Sequence, residues 1–198
     1  MFLEGPIQTG KSTLLRRCLA PYRDRLGGFS SQRLVRPGEP PAAYRITEAD
    51  DFCLQREPDL TLPGIFQIRT PHGAEKHPEV FAEYGVSLLE RAAGRDLILL
   101  DEIGGSELLV PEFHRALYRL LAGSTPWIGV VKLNEKARSM SRTAGWPNTV
   151  SAANRELRTA IRERFDGEIL LFDPRRDPAA AERAERIIKE FLSYVGNV

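Results

Sequence analysis

Eight residues near the start of the chain, Gly5-Pro6-Ile7-Gln8-Thr9-Gly10-Lys11-Ser12, follow the spacing G-x-x-x-x-G-K-S. That spacing suits the holding of a polyphosphate. Glycines let the backbone wrap closely around phosphate, and free N–H groups at the start of a following helix point at the anion with the helix dipole behind them. Lys11 would bridge β and γ phosphates, and Ser12 would ligate Mg²⁺ through its hydroxyl. Thr13, one place further on, either contacts an α phosphate or caps the first helical turn, and capping is the alternative for Ser12 as well.

A site of this type also needs a carboxylate on the far side of the metal, held rigidly at the end of a buried strand. Asp101 follows the aliphatic run Leu97-Ile98-Leu99-Leu100 and meets that need. Glu102 comes next, where it could polarise a water for in-line attack on a γ phosphate. Solvation of a strand end is the plainer alternative for both acids. Glu107, in Gly104-Gly105-Ser106-Glu107, forms either a second carboxylate shell or a cap for the next helix. His72, His77 and His114 have no metal-ligand spacing.

These residues require a scaffold, and the pattern around them supplies one. Short apolar runs alternate with helix-period segments, the signature of an α/β sheet with crossover helices. Phe2-Leu3 opens a strand, and Lys11 to Ala20 carries Leu14, Leu15, Cys18 and Leu19 on one helical face that Pro21 ends. Gly28 to Val35 and Ala43 to Thr47 read as two strands of an antiparallel ribbon, an insertion over about 28–47 beside the main sheet. Residues 48–78 resist assignment apart from a strand at Gly64 to Arg69.

Glu79 to Ala93 has helical spacing and leads into the strand ending at Asp101, whose unbroken aliphatic character suits burial on both faces. Phe113, Ala116, Leu117, Leu120 and Leu121 mark a helix with Pro111 in its first turn. Trp127 to Lys132 is a further strand. After the polar segment Asn134 to Asn148, the alternation continues with Thr149 to Ala152, a helix near Arg155 to Phe165 and a strand at Glu168 to Phe172. Asp177-Pro178 signals the start of the last helix. The pattern is α/β over a single domain, 1–198.

Composition is consistent with this and narrows the function classes. Of 198 residues, 42% are apolar and 28% charged, enough to bury one core. Lys+Arg 28 against Asp+Glu 27 leaves +1, so bulk binding to nucleic acid or a membrane surface is not expected, and an anionic ligand must be met locally. Cys18 and Cys53 are far apart, which argues against a disulfide scaffold or zinc ribbon and fits a reducing cytosol. With no basic start followed by an apolar stretch, the expectation is a soluble, unexported, cytoplasmic protein. Nothing in the sequence identifies a protein partner.

Taken together, Gly10-Lys11-Ser12-Thr13, the ribbon beginning Gly28-Phe29, Tyr84-Gly85-Val86, Asp101-Glu102-Ile103-Gly104 with Glu107, and Asn154-Arg155 resemble a P-loop nucleoside-triphosphatase family of thermophile and cancer-related type. The resemblance spans Gly5 to about Phe172. It implies Mg²⁺-dependent removal of the γ phosphate from ATP, GTP and other triphosphates. It also implies a RecA-like, mostly parallel sheet flanked by helices, of the kind in which an additional strand carries the catalytic glutamate. Asn154 then meets a base edge or caps its helix, and Arg155 stacks on the base or approaches phosphate. Three details differ from the family pattern: Pro6-Ile7-Gln8-Thr9 lacks the usual internal Gly, Gly105-Ser106 replaces Lys-Met, and Gln32-Arg33 stands where Glu commonly precedes Arg.

Three functions share this machinery. The first is a triphosphate phosphohydrolase in which Lys11, Ser12 and Mg²⁺ hold the phosphates, Asp101 anchors the metal and Glu102 activates water. The second is a nucleotide or small-molecule kinase whose acceptor sits against residues 48–78 and the ribbon. The third is a nucleotide-gated binding module with weak turnover. In any of them Arg138 and Arg142, in the long polar segment, are candidates to close over the γ phosphate.

Overall fold

In the computed structural model, which describes residues 1–134 and 149–195, the apolar runs assemble into one sheet of nine strands. They are β1 (Phe2–Glu4), β2 (Leu26–Leu34), β3 (Ala43–Glu48), β4 (Gln55–Arg56), β5 (Ile65–Thr70), β6 (Gly73–Lys76), β7 (Leu97–Ile103), β8 (Trp127–Val131) and β9 (Ile169–Leu171). Their order is β6-β5-β3-β2-β7-β8-β1-β9, with the short β4 pairing beside β2. From β2 through β9 every pairing is parallel, whereas β3, β5 and β6 extend the sheet antiparallel.

Alternation along the parallel strands divides the core into two layers. On one face Phe2, Ile98 and Leu100 meet Leu88 and Leu89 of α2 (Val86–Ala92), Phe113 and Leu117 of α3 (Pro111–Leu121), and Leu157 and Ile161 of α4 (Thr149–Glu163). On the other, Leu3, Leu97, Leu99 and Val130 meet Leu14, Leu15 and Leu19 of α1 (Lys11–Leu19) and Ile188 and Leu192 of α5 (Ala180–Val195). Asp177 accepts the Ala179 N–H at 3.0 Å just ahead of α5, the start signal read from the sequence.

Several expectations need correction. The ribbon is antiparallel, but β2 is also the parallel neighbour of β7, with Phe29 opposite Leu100 and Ser30 opposite Asp101, so it is part of the central sheet. Residues 48–78 supply all of β4, β5 and β6. Thr149 to Ala152 is the first turn of α4. Pro21 ends the α-helical geometry of α1 yet sits in a 3₁₀ helix, Ala20–Arg25, rather than a loop. A strand does lie between β1 and β7, as in RecA-like sheets, but this strand, β8, is Trp127-Ile128-Gly129-Val130-Val131 and carries no carboxylate. Both acids end β7.

Candidate functional site

The site lies where β1, β7 and β8 end along one edge of the sheet. After Glu4 the chain enters the loop through Gly5, where a Cβ would fall 2.0 Å from the Phe172 carbonyl oxygen, so only glycine fits. It leaves through Gly10, left-handed at φ 92°, which turns the backbone into α1. The first helical bond runs from the Leu14 N–H to the Gly10 carbonyl at 2.8 Å, so the N–H groups of Lys11, Ser12 and Thr13 have no carbonyl one turn back. They are the donors that an anion can claim.

Lys11 spans the mouth of this loop. Its ammonium donates to the Gly5 carbonyl at 3.0 Å and the Pro6 carbonyl at 2.6 Å, and Thr9 Oγ1 donates to the same Pro6 carbonyl at 2.9 Å. Burial pulls the Lys11 pKa below the ordinary lysine value, against the opposing charges of Glu102, Asp101 and Asp173. At the tip of the loop Arg175 donates to the Gln8 carbonyl at 3.2 Å.

The acids come from the buried end of β7. Ser12 donates its hydroxyl to Asp101 Oδ1 at 2.9 Å, and Arg16, one helical turn later, places Nη1 2.7 Å from Asp101 Oδ2. The Ser12 hydroxyl is thus turned toward the acid, and Gly10 occupies the N-cap position, so capping does not account for Ser12. Glu102 follows, with its N–H directed at Ser31 Oγ at 3.3 Å. Burial lifts the Glu102 carboxyl above the usual carboxylate range, aided by Asp101 and Glu107 and resisted by Lys132 and Lys11.

Around this pair the loop after β7 is pinned. Glu107 is buried and accepts the N–H groups of Gly104 and Gly105, each at 2.6 Å. It is therefore the anchor of its own loop. Lys132, at the end of β8, is opposed by burial, but Glu107, Glu102 and Asp101 outweigh that and hold its ammonium pKa above the ordinary value. Arg158 of α4 pairs with Glu4 at 2.6 Å and ties that helix to the entrance of the phosphate loop.

The structure thus brings together Gly5, Pro6, Ile7, Gln8, Thr9, Gly10, Lys11, Ser12 and Thr13 with Asp101 and Glu102. Thr13 is exposed on the first turn of α1. Asn154 is placed differently from either expectation. It lies in the interior of α4 rather than at its N-cap, is fully buried, and donates Nδ2 to the carbonyls of Gly104 at 2.9 Å and Lys132 at 3.1 Å. Its Nδ2 is thus engaged with the loop after β7 and the end of β8, while Oδ1 is buried with no hydrogen-bond partner among the described residues. Arg155 is exposed on α4. Arg138 and Arg142 lie outside the described residues.

Arg16 and Lys132 are the site residues that sequence reasoning missed. Arg16 had a readable signal, since it stands four residues after Ser12 and so shares its helix face. Among the described residues, hollows adjoin the loop on either side. One, of about 370 Å³, lies against Pro6 and is lined by Leu133, Leu171, Asp173, Arg176 and Arg183 among others. The other is an open cleft of about 770 Å³ against Gln8, with Arg33, Arg36 and Arg56 around it.

Comparison with known proteins gives a consistent picture. A family model described as NTPase matches residues 1–162. Nucleoside-triphosphatase THEP1 of Thermococcus kodakarensis is 32% identical over 170 residues, covering 81% of this chain and 90% of that protein. The crystal structure of THEP1 from Aquifex aeolicus superposes with a TM-score of 0.58 at 18% identity, covering 96% of this chain and 98% of that one. The solution structure of a human cancer-related nucleoside triphosphatase gives 0.61 at 15% identity, covering 98% and 96%. At such identities the two structures speak for the fold alone.

Proposed function

The chain belongs to the NTPase family and is a nucleoside-triphosphatase, and from that premise we propose that it releases the γ phosphate of ATP, GTP and other triphosphates by Mg²⁺-dependent attack of water. The observation that carries this reading is the Ser12 hydroxyl 2.9 Å from Asp101, which joins the phosphate-binding helix to the buried end of β7, with Glu102 the next residue. In this reading the amides of residues 5–13 cradle the β and γ phosphates. Lys11 exchanges its bonds to the Gly5 and Pro6 carbonyls for phosphate oxygens.

Ser12 and Asp101 offer a hydroxyl and a carboxylate, hard oxygen donors that fit Mg²⁺. Among the described residues there is no cluster of three or more metal-binding side chains. The ion would supply charge neutralisation on the transferring phosphoryl group. Glu102, with its carboxyl lifted by burial, takes the proton from the attacking water.

In this reading the direction of the triphosphate is taken from sheet order. Asp101 and Glu102 end β7, whereas β9 lies on the opposite side of β1. The γ end therefore points toward β7 and the nucleoside toward β9, where the hollow beside Pro6 presents Leu133 and Leu171. Apolar faces of this kind accept adenine and guanine alike, which suits a broad range of triphosphates. The same reading takes the protein to work in the cytoplasm, and no helix among the described residues is long and apolar enough to cross a membrane.

A second reading, phosphoryl transfer to an acceptor, draws on the arginine-lined cleft against Gln8 at the γ end of the loop. Phosphate release with no acceptor present separates the two. The sharper test of the first is Glu102→Gln. It should keep Mg-nucleotide affinity within about threefold while phosphate release falls by about 10²-fold or more. Hydrolysis at the parent rate would show that Glu102 is not the base.

A further inference from the structure

Arg16 sits on the buried stripe of α1 between Leu15 and Leu19 and is only 6% exposed. Its neighbour Arg17 is exposed and pairs with Glu185 at the surface. A guanidinium taken out of water is costly unless its donors are satisfied. Here one nitrogen, Nη1, donates both of its hydrogen bonds, to Asp101 Oδ2 at 2.7 Å and to the Ser12 carbonyl at 3.2 Å. Nε and Nη2 are buried with no hydrogen-bond partner among the described residues. An ion pair selected for stability would set the fork of the guanidinium against both carboxylate oxygens. This one leaves Oδ1 to the Ser12 hydroxyl.

From this geometry we infer that Arg16 is a positioning residue that makes divalent-cation binding at Ser12 and Asp101 conditional on a bound triphosphate. The inference rests on the proposed metal site. With the loop empty, the cation at Oδ2 already cancels the charge of Asp101, so a free divalent ion meets a neutral pair. A triphosphate on the loop restores the negative charge and the metal arrives with it. Arg16 also fixes which carboxylate oxygen faces the hydroxyl.

The test measures metal uptake without turnover. Mn²⁺ is titrated against the folded protein, with the free-ion signal followed by electron paramagnetic resonance, in the absence of nucleotide and with a non-hydrolysable ATP analogue. Without nucleotide, Arg16→Met should bind Mn²⁺ at least about tenfold more tightly than the parent, since a neighbouring unit charge has been removed. Arg16→Lys should behave as the parent does. Arg16→Gln, neutral but polar, serves if the Met variant fails to fold. Neutral variants that titrate like the parent without nucleotide overturn the inference. A parent that takes up no more Mn²⁺ with the analogue than the analogue binds alone overturns the metal site itself, and the role of Arg16 with it.

Discussion

Asn154→Ala separates two readings of the same residue. A base contact would make the substitution weaken nucleotide binding and leave stability alone. The observed geometry demands the reverse. Nδ2 donates to the carbonyls of Gly104 and Lys132 at 2.9 and 3.1 Å from a fully buried position, and so joins the loop after β7 to the end of β8. Each lost bond costs about 1 kcal/mol net, and a buried carbonyl left unpaired adds about 1–3 kcal/mol. A total near 3 kcal/mol corresponds to a fall of about 6–12 °C in Tm for a chain of this size. Asn154→Asp should be at least as damaging at neutral pH, because it sets a carboxylate against two carbonyl oxygens. Thermal melts followed by circular dichroism give the stability, and a nucleotide titration well below Tm gives the affinity. A shift under about 2 °C, with nucleotide affinity weakened tenfold or more, would refute the structural role.

Lys11→Ala should lower turnover by at least about 10²-fold, the usual scale for losing a donor aimed at developing charge. It should move Tm little, because burial already disfavours the Lys11 ammonium; phosphate-release assays and melts on the same sample check both. Asp51→Asn should flatten the acid side of the stability profile. Burial pushes the Asp51 carboxyl up, but the Cys53 N–H at 3.1 Å and the Arg56 guanidinium at 3.2 Å outweigh it and hold the pKa below the usual aspartate value. That contribution is complete above about pH 4 and is lost as pH falls through the lowered folded value. Tm measured between pH 7 and pH 3 should therefore drop more steeply for the parent than for the variant.

The parts of the site legible in the sequence were those in which residue type and position are fixed by local backbone chemistry. Gly5 and Gly10 meet backbone demands that favour glycine, and an aliphatic run followed by two acids reads as a buried strand with a polar end, as β7 is. Neighbours in the sheet were less legible. A period-two pattern says which face a side chain takes but not which strand lies alongside, so β2 read as one arm of a ribbon and not also as the partner of β7. Polar residues were harder still. Asn154 has a composition suited to a cap, a base contact or a buried clamp, and only the two carbonyls facing it decide among them. Arg16 shares a helix face with Ser12, but its partner Asp101 is 85 residues away, so nothing local marks the contact. Between residues 48 and 78 the strands are short or exposed, so burial left little periodic trace.

Hydrolysis in water enriched in ¹⁸O, followed by mass spectrometry of both products, addresses the chemistry at the heart of this account. Attack by a Glu102-activated water on the γ phosphorus places one labelled oxygen in the released phosphate and none in the nucleoside diphosphate, with no acceptor required. Label in the diphosphate, or phosphate release that begins only when an acceptor is supplied, would contradict it.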